Sequence, residues 1–290
     1  MGRQIVRVNG VVIRARRLGE TSKLVTLYTA EQGKLKVTAK GARQPRSRYG
    51  AALELFTQVQ AICYLRDERE LQTLGECDIV AQHGALLASL ERLAYASAAC
   101  ELIDRLTLEG EPNPRLFQCL TGMLAALAEV GLGQLEALFW YFELRVAAAL
   151  GFRPELVACV ACRRAQVGAW WWFSAAAGGI LCPDCGAGRG IRLAESSRRL
   201  LVELQGLRRY RRESIPAATP PPAEIRAALG SFLEYHGGAR TSLRALDFLR
   251  AVHDGPPPPG ASPVPAGARG ERDAGDAGAA GAAERRGTSI

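Results

Sequence analysis

Near residue 84 the hydrophobic period of this 290-residue chain changes from two to about 3.6. That switch demands two structural regimes in series, strands first and helices after. Upstream, Gly33 to Lys40 alternates: Leu35, Val37 and Ala39 face one way, Lys34, Lys36 and Lys40 the other. Thr21 to Ala30 is rich in Thr, Val, Leu and Tyr, and the Glu31-Gln32-Gly33 break predicts a short hairpin loop with a glycine available for positive φ. Leu53, Leu55, Val59, Ala61, Cys63 and Leu65 recur at period two, and Leu71 to Val80 supplies another strand. Five short strands in about eighty residues predict a small barrel, an architecture that often binds oligonucleotides.

Downstream, Leu86, Leu90, Leu93, Ala94, Leu102, Ile103 and Leu106 fit one helical face, and Leu135, Leu138, Phe139, Phe142, Val146 and Leu150 fit another. Pro112 and Pro114 separate the first helix from a second over Leu116–Val130. Gly151, with Pro154 beyond it, predicts a helix stop. Further helices are predicted over Glu195–Arg209, Ala223–His236 and Ser242–Val252. The 36 residues from Gly255 include nine Ala, eight Gly, six Pro and no aromatic, a composition that predicts disorder. The expected division is therefore 1–80, a barrel; 81–253, a helical domain; and 254–290, a disordered tail.

Charge is as unevenly distributed as period. The chain carries +8, but residues 1–50 hold twelve Lys/Arg against two acids, +10, which leaves −2 for everything after. A basic head on a near-neutral body is the pattern of a polyanion binder. Lys34, Lys36 and Lys40 share a strand face about 20 Å long at ~3.3 Å per residue, and the basic loop Lys40–Tyr49 follows. Such a row suits a phosphodiester backbone and offers no pattern for reading base edges, which predicts affinity without strong sequence preference. The candidate nucleic-acid contacts are Lys23, Lys34, Lys36, Lys40, Arg43, Arg46, Arg48 and Tyr49. Tyr28, Tyr49 and Phe56 are candidate stacking platforms or, alternatively, core residues. Arg198, Arg199, Arg208, Arg209, Arg211 and Arg212 form a second basic group, either a binding surface or the solvated side of a helix.

Cys159-x2-Cys162 and Cys182-x2-Cys185, nineteen residues apart, have the spacing of two thiolate knuckles that complete one tetrahedral four-sulfur site. Four protein ligands leave no open coordination position, so the metal is expected to be structural, with Zn²⁺ favoured over an iron–sulfur cluster. The insertion that carries it is placed at 155–190. Cys63, Cys77, Cys100 and Cys119 are isolated and read as small core residues. Trp170-Trp171-Trp172-Phe173, between the knuckles, is expected to pack the insertion against the helices. The zinc-deaminase pattern fails, because His83 is followed by Gly84-Ala85. There is no GxxxxGK[ST] loop for nucleotide phosphates, no apolar run of signal-peptide length in Met1–Arg17 and no membrane-length apolar segment. Eight cysteines without a secretion signal point to reduced thiols in a cytoplasm.

With these features in hand, the chain resembles the bacterial RecO family of DNA repair proteins. The residues that carry the resemblance are Gly10-Val11-Val12-Ile13, Gly19-Glu20-Thr21-Ser22-Lys23-Leu24-Val25, Glu31-Gln32-Gly33-Lys34, Ala39-Lys40-Gly41-Ala42-Arg43 and Ser47-Arg48 in the head. In the body they are Phe142-Glu143-Leu144-Arg145, Gly151-Phe152, Cys159-Val160-Ala161-Cys162, Gly178-Gly179 before Leu181-Cys182, Phe232-Leu233-Glu234-Tyr235-His236 and Ser242-Leu243-Arg244. The resemblance implies an α+β multidomain chain: an N-terminal five-stranded OB-fold barrel, then a C-terminal helical domain with a four-cysteine zinc-ribbon insertion. It implies a non-enzymatic recombination mediator that binds single- and double-stranded DNA and anneals complementary strands. It also implies the partners RecR and, in many members, RecF, and help to RecA in displacing single-strand-binding protein, whose acidic C-terminal tail the family contacts. On this basis Lys40, Arg43, Arg46 and Arg48 are expected to touch DNA in the bacterial cytoplasm, at the nucleoid, and the four knuckle cysteines to hold Zn²⁺. A zinc-ribbon and OB-fold RNA-binding module is the alternative.

Overall fold

A computed structural model of the chain describes residues 4–66, 68–165, 168–210, 212–217, 223–238 and 242–255; the tail expected to be disordered lies, from residue 256 on, outside them. The first five strands are β1 (Gln4–Leu18), β2 (Ser22–Thr29), β3 (Gly33–Ala39), β4 (Gln58–Leu65) and β5 (Gln72–Ala81). They close into a barrel in the order β1-β2-β3-β5-β4, the Greek-key order of an OB-fold. Period-two patterning explains the closure. Leu35, Val37 and Ala39 point into a barrel core with Val8, Val12, Val25, Leu27, Val59, Ala61, Cys63 and Leu74. Gly33 takes φ +60 at the hairpin, as the loop requires. The seam is short: β5 meets β3 in parallel at only Val37↔Gln72 and Thr38↔Thr73.

One strand boundary differs from the sequence reading. The alternation predicts a strand from Leu53, but β4 begins at Gln58. Residues Gly50–Leu53 form a 3-10 turn that drops Leu53 into the barrel, and Leu55 is exposed. Phe56 adopts φ 68, and Val12 bonds to both Phe56 and Thr57: Phe56 N–H donates to Val12 O and Val12 N–H to Thr57 O, both 3.0 Å. Leu53 and Leu55 match the period by coincidence.

The body contains α1 (Leu90–Leu106), α2 (Pro114–Glu129) and α3 (Leu135–Ala149), then β6 (Trp170–Ser174), β7 (Gly179–Leu181), α4 (Pro183–Gly186), β8 (Ile191–Ala194), α5 (Glu195–Gly206), α6 (Ala223–Gly237) and α7 (Arg244–Asp254). Capping explains the starts: Ser89 Oγ accepts the Arg92 N–H, and Asn113 Oδ1 accepts the Leu116 N–H with Pro114 at the first helical position. α3 is buried on nearly every side, from Leu135 through Ala147, so it is the central helix. Gly151 (φ 91) ends it, with Phe152 N–H bonded to Ala147 O at 2.8 Å.

The strand triplet β7-β6-β8 forms a small second sheet. Trp171 and Phe173 point from β6 into the helical core, where Phe173 meets Phe232. Four barrel residues, Val11, Ile13, Tyr28 and Phe56, belong to that same helical core and not to the barrel's own. No helix among the described residues is long and apolar enough to cross a membrane.

Candidate nucleic-acid interface and metal centre

The cations of the barrel separate into two groups. Lys34 is a strut: its ammonium lies 3.2 Å from Asp104 Oδ1 and donates to Asp104 O at 2.6 Å, with the Lys34 side chain 12 % exposed. Arg14 reaches the same carboxylate at 3.5 Å. Lys36 pairs with Glu109, and Lys23 with Glu54 at 3.0 Å. Of the three lysines expected to share one strand face, Lys34 and Lys36 therefore face acids from the α1–α2 segment.

The second group lies where β3 leaves the sheet. Lys40, Arg43, Arg46 and Arg48 are exposed and have no ion-pair partner among the described residues. Their loop is fixed to the β1–β2 hairpin. Arg43 N–H donates to Thr21 O at 2.9 Å, and its guanidinium donates to Gly19 O at 3.1 Å and Glu20 O at 2.6 Å. Arg43 thus uses part of its donor set to hold the loop. Across the β3–β5 seam, Lys40 and Arg69 line one shallow groove with Thr38, Glu70, Leu71, Gln72 and Thr73. Sequence reasoning misses Arg69 because it sits in the mixed-sign run Arg66–Glu70, and only the barrel's closure brings it beside Lys40. Arg16 and Arg17, exposed on the hairpin strand opposite Leu24 and Lys23, extend the same basic end.

None of the three aromatic candidates is a stacking platform. Tyr49 is 3 % exposed; its hydroxyl donates to Leu74 O at 3.0 Å and accepts from Arg48 at 3.0 Å, and the Arg48 guanidinium lies 5.0 Å from its ring centroid. Tyr28 and Phe56 are buried between barrel and helices. They serve the cores, and Tyr49 positions Arg48.

At the other candidate site the sulfur atoms of Cys159, Cys162, Cys182 and Cys185 all lie within 4.8 Å of one another. The two knuckles are built alike: Arg163 N–H returns to Cys159 O at 2.9 Å, and Gly186 N–H to Cys182 O at 2.8 Å. Cys162 and Cys182 Sγ are 3.7 Å apart, close to the ~3.8 Å edge of a tetrahedron with metal–sulfur bonds of about 2.3 Å. Backbone N–H groups point at sulfur, from Cys182 to Cys159 at 3.3 Å and from Cys185 to Cys182 at 3.4 Å. Burial opposes ionisation of Cys159, but the N–H groups of Cys162, Cys182 and Ala161 outweigh it and lower its pKa, while hydrogen bonds to Cys182 and Cys162 raise that of Cys185. The donor set fits a closed thiolate site for a divalent metal ion.

The body also contains a cavity of about 380 Å³ between α2, α3 and the segment after α5. Tyr210 lies on Gly122, where an added Cβ would come within 2.7 Å of its ring, and packs edge-on to Tyr141. Arg145, Arg208, Arg209 and Arg212 line this cavity, with Glu129 the one acidic residue beside them. Arg198 and Arg199 of the second basic group are instead bound to Glu195, which also accepts from Trp171 Nε1. Arg211, the remaining member, lies outside the described residues.

The comparisons cover both halves of the chain. The model of the recombination protein O N terminal matches residues 1–83, and that of the recombination protein O C terminal matches residues 87–245. A DNA repair protein RecO of Anaeromyxobacter sp. (strain K) is 39 % identical over 242 residues, 82 % of this chain and 94 % of that one. Those of Symbiobacterium thermophilum and Pelotomaculum thermopropionicum are 36 % and 35 % identical, over 86 % and 90 % of this chain and 99 % and 100 % of theirs.

Proposed function

The chain belongs to the RecO family of DNA repair proteins, and from that premise we propose that it is a recombination mediator that binds single- and double-stranded DNA and performs no covalent chemistry. The observation that carries this reading is the group of unpaired cations at one end of the barrel, Lys40, Arg43, Arg46 and Arg48, joined across the seam by Arg69. Phosphate contacts of this kind neutralise backbone charge and leave base edges unread. Two strands so neutralised repel each other less and keep their pairing edges open, which is the physical requirement for annealing. Lys34 and Lys23 fall outside this group because acids of the chain already hold them.

The four cysteines would hold Zn²⁺, whose part is to tie the two knuckles together. The arginine-rimmed cavity at Arg145, Arg208, Arg209 and Arg212, with its tyrosine floor, suits an acidic chain end with an apolar terminal residue, the chemistry of the single-strand-binding protein tail. RecR and RecF are the further partners implied by the family, and loading of RecA onto strands cleared of single-strand-binding protein, at the nucleoid, is the outcome.

Titration of an oligothymidylate against the full chain at several salt concentrations tests the reading. With about four phosphates contacted, log K falls with log[salt] at a slope near −3. Alanine at Lys40, Arg43, Arg46 and Arg48 together weakens binding for every sequence and flattens the slope. Unchanged binding would remove the interface from the barrel, and strong preference for RNA over DNA of the same sequence would favour an RNA-binding module.

A further inference from the structure

The side of β3 that faces away from the barrel interior presents Lys34, Lys36 and Thr38, and the chain continues to Lys40. These residues differ in how firmly they are held. Lys34 is enclosed with Asp104 and bonded to its main chain as well as its carboxylate. The Lys36–Glu109 pair is open, with both side chains 42 % exposed.

Glu109 reaches Lys36 by a particular route. β5 pairs with β3 only at Val37 and Thr38, so the Gly33–Lys36 half of that edge has no strand partner. The α1–α2 connection runs there instead: Glu109 bridges to Gly33 and Lys34, and Gly110 N–H donates to Lys34 O at 3.2 Å. Strand-like backbone pairing therefore delivers a carboxylate to the outer face of β3. Lys36 lies four residues, about 13 Å of strand, from Lys40 and its groove with Arg69, and only Thr38 stands between them on that face.

We propose that Glu109 occupies a phosphate position. The Lys36 ammonium is a further phosphodiester subsite for single-stranded DNA, and the Glu109 carboxylate closes it until a strand seated at Lys40 and Arg69 displaces that carboxylate. The exchange is of one anion for another on the same cation. Only the exposed Glu109 side chain has to swing away, since the backbone bridge to β3 and the Lys34–Asp104 clasp do not involve its carboxylate. This rests on the reading of the barrel as the DNA-binding domain and adds to it a subsite and the residue that controls it.

A double-mutant cycle on the full chain, read as oligothymidylate affinity, tests the exchange. Glu109→Gln keeps the backbone bridge and should tighten binding about two- to fivefold, the range of one exposed ion pair. Lys36→Ala alone should change affinity by less than about twofold, because in the parent chain Lys36 gives up one anion to gain another. Lys36→Ala added to Glu109→Gln should return affinity to the parent value. A gain from Glu109→Gln that survives loss of Lys36 would mean that the carboxylate acts only through the general field, and overturns the subsite. No gain overturns it as well. Melting temperatures of all three variants confirm that the fold is intact. The four-fold alanine variant of the basic loop separates the two claims: if it binds as the parent does, the barrel reading itself fails, whereas if it loses binding while the cycle shows no coupling, only the Glu109 exchange fails.

Discussion

Glu143 lies in the middle of α3 with its carboxyl enclosed by the helical core. Burial pushes its pKa from 4.5 up to about 8; Glu136 adds to the rise and Arg250 opposes it. The unfolded chain releases this proton near pH 4.5, so the folded state loses stability as pH climbs from about 4.5 to about 8 and loses no more above that. We expect Glu143→Gln to melt close to the parent at pH 4.5 and above it at pH 9, by ~1–3 kcal/mol or about 2–10 °C in Tm; equal losses at both pH values would refute the assignment. Tyr49 makes a complementary case. Its hydroxyl donates to Leu74 O and accepts from Arg48, so Tyr49→Phe should cost about 1–2 kcal/mol of stability, read as a lower Tm. The sequence identified both basic clusters but not which cations are already paired. Asp104 and Glu109 lie some seventy residues from Lys34 and Lys36, and charge counted along the first fifty residues contains no information about acids that tertiary folding returns to them.

At the scale of elements, what was legible follows period and spacing. The β3 alternation and the CxxC pair were readable because each depends on residues close in sequence, and the sulfur cluster forms as its spacing predicts. The false start of β4 shows the limit: Leu53 and Leu55 match period two, while the turn at Phe56 depends on the bonds that Phe56 and Thr57 make with Val12 of β1. The ribbon supplies its own reporter. The Trp172 ring covers Gly186, next to Cys185, so closely that an added Cβ would overlap it. Removing the metal with a chelator should therefore shift tryptophan emission and lower Tm. Native mass spectrometry should show one Zn²⁺ per chain in the parent and none in Cys182→Ser. A chain that loses its metal to a chelator yet melts unchanged, or one that is metal-free as purified and melts cooperatively, would sink the structural-metal account.

For the whole molecule, the governing fact is that barrel and body share a core. Val11, Ile13, Tyr28 and Phe56 are barrel residues buried against helices. At about 1.5–3 kcal/mol for each large apolar side chain buried, the three purely apolar ones, Val11, Ile13 and Phe56, together contribute ~4.5–9 kcal/mol, comparable with the stability of a whole domain. Residues 1–83 expressed alone should accordingly bind a hydrophobic dye and unfold with low cooperativity; a sharply melting, dye-silent fragment would show that the helices are dispensable to it. The division into strands and helices was plain from the period. The union of the two was not, because an outward-facing Tyr28 on a strand has the same sequence signature whether water or a helix covers it.

The shared core has a further consequence during biosynthesis. The barrel strands leave the ribosome first, and the helices whose buried residues join Tyr28 and Phe56 in one core begin with α1 to α3, which end at Ala149. At about 5–20 residues per second, the roughly seventy residues in between take on the order of 4–14 s to appear. For that interval the nascent barrel shows solvent an apolar patch, and the Gly33–Lys36 edge of β3 has not yet met Glu109. A half-made chain therefore exposes an apolar surface that the finished protein keeps covered by its helices.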